Sequence, residues 1–454
     1  MQKPSLPKGT RDFGPVQMAR RNFILDTIKE TFQIFGYQQL ETPAMENLST
    51  LTGKYGDEGD QLLFKILNSG DFLKNVTEED LKNGAAATLP KVSEKGLRYD
   101  LTVPFARYVV MNRHELTFPF KRFQIQPVWR ADRPQKGRYR EFYQCDADVV
   151  GTDSLLCEAE IILMIRQVFS KLGIQDYSIK VNNRKILTGI AEAIGEAGKE
   201  GPLCVAIDKL DKIGKEKVEE ELRQRGFGEE AITKLQPLFD ANPEDFDAGL
   251  EFLKGFLAES ETGKQGIAEL EETLAILASL GGSRDHVAFD FLLARGLSYY
   301  TGAIFEVKAH GVKIGSVSGG GRYDDLTGVF GMPGVSGVGF SFGVDRLYDV
   351  MEELGLFPDD NLSAPVLLFA HFDQKGFDYA ASLLSKVRAK GIRAELYPDL
   401  TKLKKQLDYA SKKGIAFVGI CGDVEIESKT IALKDLATGE QSSVTLEEMI
   451  EKLS

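Results

Sequence analysis

Two strand-like segments joined by a basic loop constrain the fold more than any other part of the chain. Residues 118–130 and 139–150 carry the aromatic and β-branched side chains typical of β-strands. Between them, Arg133–Arg138 supplies the proline, glycine and charged residues of a turn. The pattern predicts a β-hairpin that carries a long basic loop.

The loop and the strand that follows it carry side chains suited to a nucleotide and an amine. The cations of the loop are Arg130, Arg133, Lys136, Arg138 and Arg140. On the strand, Phe142 and Gln144 share one face, which Asp148 joins, because strand side chains alternate. Arginine can hold a phosphate, Phe142 can stack on a planar base, and Gln144 with Asp148 can bind a cationic amine. A solvated basic loop over an ordinary sheet is the alternative.

A second candidate site segment is Arg295–Gly302, where one arginine lies close in sequence to two adjacent tyrosines. Arginine offers a planar, permanently charged fork to phosphate or carboxylate. Tyr299 and Tyr300 offer ring faces and phenolic hydroxyls to a small polar ligand. A strand edge with two core aromatics is the alternative for this segment alone.

Asp100 and Thr102 form a third candidate, within a stretch whose composition predicts a strand over residues 97–111. On a strand, the two side chains lie on one side and suit an α-ammonium group. Surface pairing of Asp100 with Arg98 or Arg107 is the competing interpretation.

Glycines and a misplaced arginine mark the region from 319 to 346. Gly319–Gly321 fits neither a P-loop nor a dinucleotide-binding motif, so it indicates close backbone approach or a bulge. Gly337–Arg346 reads as an apolar strand that leads into a helix. A cation at a helix start is unfavourable to the helix dipole, so Arg346 indicates an anionic ligand.

The length of 454 residues predicts about two to four domains. Apolar side chains spaced four apart predict a helix over 17–35, and a helix is also predicted over 154–173. Near residue 174 the composition becomes rich in Glu, Lys and Ala, which predicts an inserted helical module. Strand and helix patterns alternate after Pro365, as in an α/β domain. The predicted divisions are 1–173 and 286–357 for a divided core, 174–285 for the insertion and 364–454 for a C-terminal domain.

Composition excludes several functional classes. No apolar run approaches the roughly 20 residues that span a bilayer, and the first residues lack an apolar signal core, so we expect a cytoplasmic protein without membrane contact. The 4 cysteines and 4 histidines are scattered, which predicts reduced thiols and no zinc site. A net charge of −12 disfavours non-specific nucleic-acid binding, although the hairpin loop is locally basic.

Taken together, these segments resemble the class II aminoacyl-tRNA synthetases, and among them the histidyl-tRNA synthetases. The helix at 17–35 with the strand ending at Pro43 resembles the first class II motif, which forms the dimer interface in that family. The second and third motifs correspond to Arg130–Gln144 and Gly339–Arg346. Lys8–Phe13 is similar to the opening signature, and the Arg295–Tyr300 stretch to the segment that distinguishes the histidine enzymes; the resemblance covers nearly the whole chain.

The resemblance implies a fold, a reaction and a set of partners. The fold is α+β: a class II synthetase antiparallel-sheet catalytic core, a helical insertion and a C-terminal α/β anticodon-binding domain. The reaction is ATP-dependent activation of histidine to histidyl-adenylate, followed by transfer to the 3′ end of tRNA(His). Implied partners are ATP with Mg²⁺, L-histidine, tRNA(His) and a second copy in a homodimer. No tightly bound protein metal is implied.

The resemblance also implies a role for each candidate residue. The catalytic residues are Arg130 and Arg295, the latter near the α-phosphate. Histidine binds to Asp100, Thr102, Gln144, Asp148, Tyr299 and Tyr300. ATP binds to Arg130, Asp132, Phe142 and Arg346, with adenine stacked between Phe142 and Arg346. The acceptor stem of the tRNA meets Gln135, Lys136, Arg138 and Arg140.

Two positions depart from the family pattern. Asp132 stands where the second motif usually has glutamate, so its contact to ATP changes, and Ser298 stands where the histidine-specific segment usually has aspartate. Two alternatives stay open. One is a non-catalytic regulatory paralogue, which generally lacks the C-terminal module and the catalytic arginines. The other is a class II synthetase for another amino acid, against which Tyr299 and Tyr300 speak.

Overall fold

The computed structural model describes residues 3–241, 246–294, 299–358 and 364–453, except the side chains of 56–58 and 211–212. The chain forms two compact units. One comprises Met1–Asp12 and Arg21–Leu356, and the other comprises Phe13–Arg20 and Phe357–Ser454. None of the described helices is long and apolar enough to cross a membrane.

The described residues form short strands and helices. The strands are β1 (Gln38–Gln39), β2 (Met45–Asn47), β3 (Lys65–Ile66), β4 (Lys95–Leu97), β5 (Phe120–Trp129), β6 (Glu141–Val150), β7 (Tyr177–Asn183), β8 (Val287–Phe289), β9 (Ala303–Ala309), β10 (Ser318–Tyr323), β11 (Gly337–Gly343), β12 (Leu367–His371), β13 (Ala394–Leu396), β14 (Phe417–Cys421), β15 (Ile431–Asp435) and β16 (Gln441–Val444). The α-helices are α1 (Pro15–Ile34), α2 (Leu48–Leu51), α3 (Gly56–Gln61), α4 (Glu78–Lys82), α5 (Ala85–Val92), α6 (Thr102–Met111), α7 (Leu156–Leu172), α8 (Arg184–Ala193), α9 (Glu200–Ile207), α10 (Leu210–Ile213), α11 (Lys215–Gln224), α12 (Glu229–Asp240), α13 (Phe246–Phe256), α14 (Glu261–Ser279), α15 (Val344–Glu353), α16 (Gln374–Ala389), α17 (Leu403–Lys413), α18 (Asp423–Ser428) and α19 (Leu446–Leu453).

An 8-stranded sheet organises the first unit, in the order β1-β5-β6-β11-β10-β9-β7-β8. Its inner pairs are antiparallel, and only β1–β5 and β7–β8 run parallel. The predicted hairpin is confirmed: β5 and β6 pair from Phe120 opposite Val150 to Trp129 opposite Glu141. The first unit is therefore an α+β fold built on a mainly antiparallel sheet.

One face of this sheet is apolar and covered by helices. The stripe predicted on α1 is confirmed, because Ile24, Ile28 and Phe32 are completely buried. The Phe32 ring lies 5.8 Å from the ring of Phe340 and 6.3 Å from that of Phe342, both on β11. Burial of each large apolar side chain stabilises the fold by about 1.5–3 kcal/mol. The helix α1 thus anchors the back of the sheet.

The predicted strand over residues 97–111 is wrong for most of its length. The strand β4 ends at Leu97, and Thr102–Met111 forms the helix α6. Its apolar run is compatible with either element, since short apolar runs do not distinguish a strand from a buried helix. Pro104 lies in the first turn, where the missing N–H has no intrahelical partner to lose. Asp100 and Thr102 therefore do not alternate on a strand.

The expectation that residues 174–285 are mostly helical is wrong for Tyr177–Asn183. This segment is β7, which pairs with β9 and β8 in the main sheet. Its alternation of buried Tyr177, Ile179 and Val181 spans only 7 residues, so a composition averaged over the whole stretch hides it. The helices α8 to α14 then lie between β7 and β8.

The second unit is an α/β domain with a 5-stranded sheet in the order β13-β12-β14-β15-β16. The strands β12, β13 and β14 are parallel, and β15 and β16 add antiparallel pairs at one edge. The predicted alternation of strands and helices is found in the part that contains the parallel strands β12, β13 and β14. The helix α16 buries Ala380, Leu383 and Val387, at the spacing that the sequence predicts.

Replacing Phe32 by alanine should lower the free energy of unfolding by about 3–5 kcal/mol, because the change removes a buried ring and leaves a cavity. Urea denaturation followed by circular dichroism measures the loss. The exposed Asn22 on the same helix provides a matched control, and Asn22→Ala should change stability by less than about 0.5 kcal/mol. Equal effects of the two changes would contradict the packing role of Phe32.

Candidate active site

A large cleft lies on the polar face of the main sheet, and its volume is about 1150 Å³. It collects most of the residues that the sequence singled out. These are Asp100, Thr102, Arg130, Asp132, Arg138, Phe142, Gln144, Asp148, Tyr299, Tyr300 and Arg346. Arg295 and Ser298 lie outside the described residues. The segments that were separate candidates in the sequence therefore form one site.

The strand β6 supplies a row of polar side chains to the floor of the cleft. Phe142, Gln144, Asp146 and Asp148 all line it, as the alternation of a strand requires. Gln144 donates a hydrogen bond through Nε2 to Oγ of Ser341 on β11, at 2.9 Å. The cross-strand bond fixes the orientation of the amide, so its oxygen faces the Arg130 side.

Asp148 is a buried carboxylate with two strong partners. An Arg122 guanidinium nitrogen lies 2.7 Å from Oδ2, and the Tyr323 hydroxyl donates to Oδ1 at 2.7 Å. Burial raises the pKa of Asp148, and the Arg122 charge opposes that rise. Gly339 lies directly opposite on β11, and a Cβ atom there would stand 2.1 Å from Oδ1. The carboxylate occupies the space that the glycine leaves.

Asp100 forms a second acidic corner, in the turn before α6. Its Oδ1 accepts from the Tyr55 hydroxyl at 2.9 Å and from the Val103 backbone N–H at 3.2 Å. The Tyr299 hydroxyl is 3.5 Å from Oδ2. Burial raises the pKa of Asp100, while these hydrogen bonds and Arg130 lower it. The competing surface pairing with Arg98 or Arg107 is excluded, since Arg98 binds Pro127, Thr42 and Gln126, and Arg107 binds Glu46.

The tyrosine pair forms a wall of the cleft above β10. The rings of Tyr299 and Tyr300 meet edge to face, with centroids 5.1 Å apart. Burial raises the pKa of both hydroxyls, so both stay protonated hydrogen-bond donors. A Cβ atom on Gly321 would lie 2.9 Å from the Tyr300 ring and 2.5 Å from the Ala303 carbonyl oxygen. The glycine cluster marks close approach of the backbone, as the sequence predicts.

Arg130 and Phe142 lie together on the floor, next to Gln144. The Arg130 guanidinium carbon is 4.2 Å from the centre of the Tyr99 ring and 5.2 Å from that of Phe142. Its Nε donates to the Tyr99 carbonyl oxygen at 3.1 Å, and its Nη2 reaches Oε1 of Gln144 at 3.5 Å. These contacts hold a cation above the boundary between the acidic and basic parts of the cleft.

Arg346 adds a second fixed cation from the first turn of α15. Its Nη1 donates to the Ser316 carbonyl oxygen at 2.6 Å, and its Nε to that of Gly137 at 2.8 Å. Burial lowers the pKa of Arg346, and the neighbouring cations Arg130 and Arg138 lower it further. Three cations that repel one another around a cleft indicate an anionic ligand.

Comparison with known proteins agrees with this geometry. The family model described as histidyl-tRNA synthetase matches residues 9–347, and the model of an anticodon binding domain matches residues 366–454. The chain belongs to the histidyl-tRNA synthetase family. Its antiparallel core, long basic hairpin and α/β second unit are the fold that was expected for this family.

Relatives of the chain are similar over their full length. It is 59% identical over 453 residues to the Histidine--tRNA ligase of Cytophaga hutchinsonii, covering 100% of both chains. It is 60% identical over 449 residues to that of Phocaeicola vulgatus, covering 99% of this chain and 98% of the relative. The histidyl-tRNA synthetase structure from Nostoc sp. PCC 7120 has a TM-score of 0.84 at 30% identity, covering 100% and 99%. An ATP phosphoribosyltransferase regulatory subunit/histidyl-tRNA synthetase structure from Bacillus halodurans shares the fold, with a TM-score of 0.71 at 22% identity, covering 92% and 99%.

The hairpin loop, which corresponds to the second motif of the histidyl-tRNA synthetases, has an exposed outer part. Lys136 is 66% exposed along its side chain and pairs with Glu353 at 2.7 Å. Arg140 turns inward, because its Nε donates to the Asp132 carbonyl oxygen at 3.0 Å. Arg138 lies 3.5 Å from the Asp132 carboxylate. Of the four predicted acceptor-stem residues, only Arg138 lines the cleft; Gln135, Lys136 and Arg140 do not.

The opening signature of the family is tied to the third motif through Asp345. This carboxylate forms ion pairs with Arg11, and with Arg21 on α1 at 2.6 Å. Its other oxygen accepts from the Tyr143 backbone N–H at 3.0 Å. The network connects α1, β6 and α15, so it fixes the helix that carries Arg346.

No group of three metal-ligating side chains occurs among the residues that the structure describes, and the absence of a resident metal stays a prediction.

Several polar residues in or behind the cleft escaped the sequence analysis. Arg122, Tyr323 and Tyr55 hold the two acidic corners, and they come from three separate parts of the chain. No local pattern marks them. Asp146 did carry a signal, because it alternates with Gln144 and Asp148 on β6.

Replacing Gly339 by alanine should lower the free energy of unfolding by about 1–3 kcal/mol, because the new Cβ atom meets the Asp148 carboxylate and the Ala147 carbonyl oxygen. Thermal unfolding measures the change. Gly255 in α13 has nothing within 4 Å of an added Cβ, so Gly255→Ala should leave stability unchanged or raise it by up to about 1 kcal/mol. Matching losses in both variants would contradict the packing of Gly339 against Asp148.

Proposed function

We propose that the protein is a histidine–tRNA ligase, which activates histidine with ATP and charges tRNA(His). The observation that carries the proposal is the polarity of the cleft, in a chain of this family. Buried carboxylates Asp100 and Asp148 stand at one end, and Arg130 and Arg346 at the other. An amino acid with its ammonium group at the acidic end places its carboxylate toward the arginines, where an ATP phosphate binds.

The adenine base of ATP stacks on Phe142, with Arg346 on its other side. Ring and guanidinium faces both suit a planar base, and the buried part of Arg346 is held by two backbone carbonyl oxygens. Asp132 keeps its position in the second motif despite the shorter side chain, and it lines the same cleft. ATP would enter as its Mg²⁺ complex, with the cation held mainly by phosphate oxygens and water.

Histidine binds between the carboxylates and the tyrosines. Asp100 and Thr102 with Gln144 receive the α-ammonium group, and Asp148 with Tyr299 and Tyr300 surrounds the imidazole ring. A pocket that hydrogen-bonds both ring nitrogens rejects analogues without them by roughly 10⁴–10⁵-fold. This supports histidine over proline or threonine as the substrate.

The first chemical step is an in-line attack of the histidine carboxylate on the α-phosphorus of ATP. A new oxygen–phosphorus bond forms, the bond to the bridging oxygen breaks, and pyrophosphate leaves. Charge develops on the phosphoryl oxygens, where fixed arginines stabilise the transition state. Arg130 and Arg295 are assigned this role, and no protein nucleophile is required. The adenylate then acylates the terminal ribose of the tRNA.

The second unit is proposed to bind the anticodon. Phe372 directly follows the parallel strand β12 and is 55% exposed. Unpaired RNA bases stack on exposed aromatic rings of this kind. A homodimer through the first motif and a cytoplasmic location complete the proposal.

The regulatory-paralogue alternative is disfavoured, because the chain keeps Arg130 and Arg346 and carries this second unit.

The purified protein should exchange labelled pyrophosphate into ATP in a histidine-dependent manner, and proline or threonine should not replace histidine. Lack of exchange by folded protein would exclude the activity.

Arg295→Ala should keep the melting temperature and lower exchange by about 10²–10³-fold, since it removes one charged donor. Near-normal exchange in that variant would contradict the role of Arg295.

Replacing Lys136 by glutamine should lower the kcat/KM for tRNA in the charging reaction more than it affects pyrophosphate exchange. The exposed ammonium group is suited to a phosphate of the acceptor stem, so its loss should reduce the slope of log kcat/KM against log salt by about one. Lys171 provides a matched control, as an exposed, ion-paired lysine on α7. An equal loss of charging in Lys171→Gln would contradict a specific contact by Lys136.

A further inference from the structure

Asp146 is a buried carboxylate in the cleft that the family resemblance does not assign. It lies on β6 between Gln144 and Asp148, is 2% exposed and lines the cleft. Its Oδ2 accepts weakly from the Thr102 hydroxyl at 3.5 Å. Among the residues that the structure describes, its Oδ1 has no hydrogen-bond partner. A buried acceptor without a donor is costly, so it marks the place of a missing group.

The charge balance around Asp146 identifies the kind of group that is missing. Three buried carboxylates, Asp100, Asp146 and Asp148, face two cations, Arg122 and Arg130. Arg122 is committed to Asp148, at 2.7 Å. With every group ionised, these three carboxylates outnumber the two cations by one, and Arg130, at the boundary of the acidic and basic parts, is shared with the basic part as well. A ligand cation at this end removes the excess.

We propose that Asp146 is a further substrate-binding residue, whose Oδ1 accepts a hydrogen bond from the α-ammonium group of the bound amino acid. The inference rests on the proposed function, because it takes an amino acid as the ligand. An α-ammonium group is cationic at neutral pH and has three N–H donors to distribute. Thr102 and Gln144, which flank Asp146, lie at the same end of the cleft. Asp146 thus receives one donor, and its neighbours receive the others.

The protonation of Asp146 then depends on the ligand. Burial raises the pKa of Asp146 to about 7; Arg122 and a hydrogen bond with the Ser341 side chain lower it, and Asp148 and Asp100 raise it further. Tyr300 and Cys145 also face this charge, and Arg98 lies within its field. Below pH 7 the free protein carries a protonated Asp146, which must lose its proton before it can accept from an ammonium group. Above pH 7 it is already ionised, so the affinity for histidine should rise from pH 6 to pH 8 and then level off.

The Asp146→Asn variant tests the contact through the KM values of pyrophosphate exchange. We expect the KM for histidine to rise about 10- to 100-fold, as for loss of a hydrogen bond to a charged group, with little change in the KM for ATP. The rise in affinity between pH 6 and pH 8 should shrink to the part that the titration of the ligand's own imidazole contributes. Glu141 lies at the exposed end of the same strand and bonds Trp129, so Glu141→Gln is the control and should keep the wild-type KM for histidine.

An analogue that lacks only the amine, 3-(imidazol-4-yl)propionate, separates an ammonium contact from a structural effect. In the wild-type protein, the analogue should bind much more weakly than histidine. In Asp146→Asn, the ratio of the two binding constants should be much closer to one. Equal weakening of both ligands in the variant would overturn the proposal. So would an unchanged KM for histidine.

A measurement on the wild-type protein covers the case in which the variant does not fold. Calorimetric titration at pH 7 in buffers of different ionisation enthalpy counts the protons released on binding. The α-ammonium group lowers the imidazole pKa of histidine relative to that of the analogue, so the protons lost by each free ligand's own ring are measured separately and subtracted. After this correction, histidine should release a proton fraction that the amine-free analogue does not. Equal release by the two ligands would overturn the proposal, whereas failure of the wild-type protein to bind histidine at all would overturn the proposed function.

Discussion

The hairpin register that sets Arg122 opposite Asp148 is the constraint on which the rest of the site depends. Arg122 is completely buried, and its charge opposes the rise in pKa that burial imposes on Asp148. A buried ion pair contributes little net stability, because desolvation offsets the Coulomb attraction. The ion pair matters because it sets the position of the Asp148 carboxylate. It places an acceptor on the floor of the cleft, and a shift of one residue would turn that acceptor into the apolar core.

The same alternation lets one sheet serve a core and a site at once. On β11, Phe340 and Phe342 pack against Phe32 of α1, while Gly339 and Ser341, which alternate with them, line the cleft. Packing of α1 therefore fixes the plane in which the floor of the site lies. Because the glycine and the serine are small, the β6 carboxylates and amide can stand above them. The side chains that stabilise the sheet and those that line the cleft therefore lie on opposite faces of the same strands.

Local patterns in the sequence predict part of this arrangement. Phe142, Gln144 and Asp148 were placed together because a strand repeats every two residues, and this holds wherever the strand lies. Asp100 reaches the same cleft, although it was assigned to a strand and instead precedes α6. Its partner Tyr55 was not predicted, because the two residues meet only through tertiary packing. The strand β7 was missed for a different reason, since the helices that follow it dominate the composition of residues 174–285 and hide its short alternation.

The two ends of the cleft differ in how their charges are held, and this orients the substrates. The carboxylates Asp100 and Asp148 are buried and accept hydrogen bonds from tyrosine hydroxyls, which hold them in place without neutralising their charge. Arg346 is held by backbone carbonyl oxygens, which fix the guanidinium without neutralising its charge. Arg130 likewise uses a carbonyl oxygen and ring faces. The charge of these arginines therefore stays available for an anionic ligand, and under the proposed function the amino acid enters with its carboxylate toward them.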